Sequence, residues 1–140
     1  MLVASENGTN KLLIEVKRLE DNEVLAANAF HRRATALMPG SFLLFVSTRQ
    51  FWLWAPAATA PTHQGDTAAL LRRYLDLDRV PLASLTEWEL NLVVYSWVSS
   101  VMFKPAATLL ELPEQEWLVR TGLHPVIHRG YIQREGLAGE

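Results

Sequence analysis

In the opening stretch MLVASENGTNKLLIEVKRLED, the run KLLIEVKR sets Glu15 and Lys17 two positions apart, a carboxylate and an ammonium at strand spacing. Such a pair has a use on a phosphodiester. A carboxylate holds a divalent cation, and a lysine orients water or steadies the charge that grows on a phosphate during hydrolysis. The same chemistry asks for a second carboxylate to complete the metal site. Against this stands a plainer reading: E-x-K recurs by chance, and alternating charges are ordinary on a solvated sheet face.

Other constellations carry less. His124 and His128 are four residues apart, a spacing that binds metal on a helix, but Pro125 lies between them and no intervening glutamate makes a protease motif. No glycine-rich phosphate loop is present. Ser96, Ser99 and Ser100 fall in an apolar helix, where small residues permit close helix contact better than they serve as nucleophiles. Trp52 and Trp54 alternate with Phe51 and Leu53, and one face of that strand could reach a surface for base stacking, although core packing or a protein interface suits tryptophan better.

The elements that position Glu15 and Lys17 follow from local pattern. Leu2–Ser5 and Lys11–Arg18 flank Asn7-Gly8, a strong tight-turn signal, and so predict a β-hairpin. On the second strand Leu12, Ile14 and Val16 form an apolar face, and Leu13, Glu15 and Lys17 share the other. Asn22 as cap and apolar residues at helical spacing predict a helix over 23–37, stopped by Pro39-Gly40. SFLLFVS at 41–47 reads as a strand buried on both faces, and FWLW at 51–54 as one more. Residues 55–65 read as a surface loop, 66–75 as a helix capped by Asp66, 87–103 as a long apolar helix, and 113–120 as a short helix closed by Gly122. One further turn is expected over 125–130, and the tail from Gln133 reads as loosely held.

At 140 residues the chain suits one domain, and 49% apolar with 20% charged residues is ordinary for a folded one. The expected class is α/β (α+β): a mixed sheet of about four strands with a crossover helix over 1–54, then a mostly helical part over 66–130. Thirteen basic against fifteen acidic side chains give a net charge of −2, so the molecule has no global field that collects phosphate backbones. The absence of cysteine removes thiolate metal sites and fits a reducing compartment. No basic region followed by a long apolar stretch opens the chain, and no window of about 20 apolar residues spans a bilayer, so a cytoplasmic protein without membrane contact is expected.

LLIEVKR at the end of a hairpin, then a helix, SFLLFVSTRQ and FWLW, resembles the core of the PD-(D/E)XK restriction-endonuclease-like superfamily. The similarity is closest to a bacterial subgroup with a strand of the form FLLVTPDRLYLW, and it runs on through the apolar helix to EWLVRTGL at 116–123. The resemblance implies a Mg²⁺-dependent hydrolase of DNA, with Glu15 as metal ligand, Lys17 as catalytic lysine, and a polar residue of the first helix facing the site, from among His31, Arg32 and Arg33. Arg32 and Arg33 would also meet nucleic acid. The superfamily's first aspartate has no counterpart: it belongs at or just before Met1, and no aspartate precedes Asp21. The superfamily's usual N-terminal helix is absent too. Glu6, Glu20 and Glu23 are the carboxylates nearest by sequence. A late start site, a truncated relative, or a domain that binds without cutting would each explain the gap, and weak or no cleavage is expected. The alternative is a non-catalytic homodimeric module pairing through the broad apolar helix 87–103.

Overall fold

A computed structural model describes residues 1–19 and 21–133, so Glu20 and the tail 134–140 lie outside the description. The chain runs β1 (Leu2–Ala4), β2 (Asn10–Val16), α1 (Glu23–Leu37), β3 (Phe42–Val46), β4 (Gln50–Trp54), β5 (His63–Asp66), α2 (Thr67–Leu71), α3 (Glu87–Val101), α4 (Ala106–Leu110), α5 (Trp117–Arg120), α6 (Leu123–Ile127) and β6 (Tyr131–Gln133). The strands form one mixed sheet in the order β5-β4-β3-β2-β1-β6. β2 and β3 are parallel and joined by α1, while the other neighbours are antiparallel. The crossover expected from the sequence is therefore present.

Alternation along the strands sorts the core into two layers. Leu12, Ile14, Val16, Leu44, Val46, Phe51 and Leu53 meet residues of α2 to α6 on one face. Leu13, Leu43, Phe45, Trp52 and Trp54 meet Ala27, Phe30 and Ala34 of α1 on the other. A sheet covered on both faces explains why β3 is apolar without interruption. It also places Trp52 and Trp54 in the core, so neither offers a surface for stacking.

Two strands exceed the expected four, and both are corrections with a shared cause. β5 takes His63–Gly65 out of the predicted loop, and β6 takes Gln133 out of the predicted tail. Neither HQGD nor YIQ has an alternating apolar pattern, so their pairing with β4 and β1 is set by sheet edges, not by local propensity. Gly130 allows the second pairing, because a Cβ there would lie 1.9 Å from the Ala4 carbonyl oxygen.

Helix boundaries moved as well. α2 is shorter than predicted, ending at Leu71, although Asp66 caps it by accepting from Ala68 N–H at 3.1 Å. α3 ends at Val101, and the 113–120 segment is helical only from Trp117. Asn22 occupies the predicted cap position of α1 but in a left-handed conformation, φ 57°, without a side-chain cap bond. In the hairpin Gly8 alone of the Asn-Gly pair has positive φ, 88°, and a register shift between Val3 and Ala4 absorbs the extra residue.

The broad stripe of α3 is largely consumed within the chain. Leu90, Val94, Trp97, Val98 and Val101 are buried against the sheet, and Val93 and Tyr95 pack beside them. Trp88 and Phe103, at the two ends of the segment proposed for pairing, are exposed. No helix among the described residues is long and apolar enough to cross a membrane.

Candidate functional site at the end of strand β2

Glu15 and Lys17 stand where β2 leaves the sheet, at the carboxyl end of the parallel pair, the place where open α/β sheets commonly bind ligands. β2 pairs with β3 through Val16, with Glu15 opposite Phe45, and the Lys17 N–H continues the ladder to Val46 O at 3.0 Å. On its other side β1 accompanies β2 only as far as Met1. The Met1 amine donates to Ile14 O at 2.8 Å, and Ile14 N–H donates to Met1 O at 2.8 Å. Beside that end a cleft of about 330 Å³ opens, lined by Met1, Ile14–Lys17, and Glu87, Trp88 and Asn91 of α3.

α3 is aimed into the cleft by its own start signal. Thr86 and Glu89 form a capping box: Glu89 N–H donates to the Thr86 hydroxyl at 3.1 Å, and Thr86 N–H donates to the Glu89 carboxylate at 2.9 Å. The Thr86 N–H, then its hydroxyl, holds the Glu89 carboxyl below the usual carboxylate range. With the first turn so fixed, Glu87 reaches the strand. One of its oxygens accepts from Arg18 N–H at 3.1 Å, and the other lies 3.9 Å from the Lys17 ammonium. Arg18 extends the same tie by donating to Leu85 O and Ala83 O at 2.9 and 3.0 Å.

Glu15 is not the solvated residue of the plain reading. Its side chain is 17% exposed, because α1 covers this face of the sheet. Arg33 of α1 places Nη2 against both carboxylate oxygens, at 2.8 and 2.9 Å. Of the three polar candidates on the first helix, Arg33 is thus the one that meets Glu15. His31 stacks on Trp54 with ring centroids 4.8 Å apart and hydrogen-bonds Ala58 O at 3.0 Å, while Arg32 is exposed.

The fit to a Mg²⁺ ion can be judged from these contacts. One nitrogen of Arg33 sits against both oxygens, the place a cation chelated by Glu15 would take, and Glu87 already serves Arg18 and Lys17. Among the described residues no three His, Asp or Glu side chains gather at one point. Glu6 lies in the exposed turn, and Glu23 accepts from the Ser47 hydroxyl at 2.8 Å at the start of α1. Among the described residues the side chains do not form a divalent-cation site as they stand.

Nothing matches. Comparison with protein-family models, with curated proteins and with solved structures returned no similar protein.

The histidines set aside from the sequence are structural. His124 is buried, hydrogen-bonded through Nε2 to Lys104 O at 2.8 Å, with the His128 ring 4.6 Å away. Burial is the main cause that lowers its pKa; the Lys104 carbonyl opposes the shift, and His128 adds to it. His63 stacks on Trp117 at 4.9 Å and is likewise lowered by burial. Glu87, Trp88 and Asn91 are the cleft residues that sequence reasoning did not assign. No local signal ties residue 87 to residue 18.

Proposed function

We propose that this chain is a restriction-endonuclease-like domain that engages nucleic acid at the cleft beside β2 and cleaves it weakly or not at all. The observation that carries the reading is the placement of Glu15 and Lys17 at the carboxyl end of β2, beside the crossover and on the wall of a polar cleft. The chain order of hairpin, crossover helix, parallel strand and antiparallel strand supports it, being the order the resemblance implies. Lys17 supplies the positive charge that meets a phosphate, and Trp88 and Asn91 offer an aromatic face and an amide at the same cleft.

The low activity follows from the ion pairs. Glu15 is neutralised by Arg33, and Glu87 faces Lys17 and Arg18 N–H, so the carboxylates serve as anchors for cations and backbone. Binding without hydrolysis is the consequence. A Mg²⁺ nuclease assay on plasmid DNA, run beside Lys17→Ala, tests this. The expected result is little or no cutting by either protein, and robust cleavage that survives Lys17→Ala would overturn the assignment of Lys17.

A further inference from the structure

Of the five tryptophans, Trp52, Trp54, Trp97 and Trp117 are no more than 4% exposed, whereas Trp88 is 70% exposed. A large aromatic ring left in water on the first turn of a helix gains nothing from folding. It lines the β2 cleft, as Lys17 does. The Lys17 side chain is 46% exposed, and its ammonium pairs with Glu87 only at 3.9 Å, beyond hydrogen-bond reach. An open aromatic face and a half-exposed lysine, loosely paired with Glu87, thus share one cleft.

From this juxtaposition we infer that the cleft takes single-stranded nucleic acid, with one base stacked on Trp88 and the adjoining phosphate on Lys17. The inference rests on the nucleic-acid reading of the site and names its substrate class. Charge favours the single strand. A duplex is held chiefly by many phosphate contacts, whereas this cleft is lined by one lysine and no arginine in a chain of net charge −2. Stacking on an aromatic ring needs no such field and accepts any base. Size agrees, since about 330 Å³ lies at the small end of ligand pockets and suits one nucleotide-sized group.

Because Trp88 is the one strongly exposed tryptophan, its fluorescence reports the site directly. The intact chain, in EDTA, is titrated with oligo-dT of about 12 nucleotides and with a duplex of equal length. Single strand is expected to quench the exposed-tryptophan emission, to shield it from acrylamide, and to bind at least about tenfold more tightly than duplex. Trp88→Ala should weaken single-strand binding about tenfold, Trp88→Phe should retain most of it, and Lys17→Gln should reduce the salt dependence by about one phosphate contact. Equal binding of single strand and duplex, unchanged by Trp88→Ala but weakened by Lys17→Gln, overturns the stacking role and leaves the cleft as a nucleic-acid site. Binding of neither nucleic acid overturns the underlying reading as well. A Trp88 already shielded from acrylamide in the free protein at about 50 µM, a range that reveals weak association, also overturns it by showing a second copy on the ring.

Discussion

Replacing Gln115 by leucine tests how the helical layer is locked over the sheet. Gln115 is 1% exposed and is a polar link inside the core. Its Oε1 accepts from the Trp97 indole N–H of α3 at 2.8 Å, and its Nε2 donates to Leu70 O of α2 at 3.1 Å. Leucine fills similar space but leaves an indole N–H and a carbonyl without these partners in the core. Each stranded group costs about 1–3 kcal/mol, and the added apolar burial returns about 1 kcal/mol, so a net loss of about 3 kcal/mol is expected. With a urea m-value of about 2 kcal/mol/M for a chain of this size, the midpoint should fall by about 1.5 M. Urea unfolding followed by far-UV circular dichroism measures it. The double variant Gln115→Leu/Trp97→Phe removes the stranded indole N–H and should be about 1 kcal/mol more stable than the sum of the single losses. A midpoint unchanged within about 0.3 M, or strict additivity in the cycle, would refute the assignment of this link as a stabilising network.

Three further outcomes are expected. Arg33→Ala, Glu15→Gln and their double variant should give a coupling of about 1 kcal/mol in urea unfolding, modest because the Arg33 side chain is half exposed, and falling at high salt; zero coupling at low salt would mean that the pair does not tie α1 to β2. Gly130→Ala should cost about 3 kcal/mol, since its methyl group meets the Ala4 carbonyl, with the earliest loss of amide-exchange protection at β6 and β1; even loss across the sheet would place the strain elsewhere. His63 and His124 have folded pKa values lowered below 6.5, so the unfolded chain binds more protons; stability is full above about pH 6.5 and falls as pH drops below it. Unfolding midpoints at pH 7.5 and 5.5 measure the drop, and a His124→Gln variant that keeps the full drop would remove His124 as a source.

Much of the frame was legible locally. Alternation marked the faces of β2, and helical spacing with Pro39-Gly40 set α1 at 23–37 as observed. β5 and β6 were not legible, because a short polar segment becomes a strand only when an edge such as β4 or β1 accepts its backbone bonds. The wide apolar stripe of α3 is used mostly by the sheet and the helices beside it, with Trp88 and Phe103 exposed at its ends.

The candidate site divides along the same line. Strand spacing predicted one face for Glu15 and Lys17, but Lys17 lies just past the end of β2 and approaches Glu87 of α3, while Glu15 meets Arg33 of α1. Which charge meets which is not local. The approach of Arg33 to Glu15 across 18 residues, of Glu87 to Arg18 across 69, and the exposure of Trp88 on the cleft wall depend on how α1 and α3 pack on opposite faces of the sheet. Sequence determined the charges that β2 carries, and tertiary packing decided that those charges are paired, because only the assembled layers bring their partners within a few ångströms.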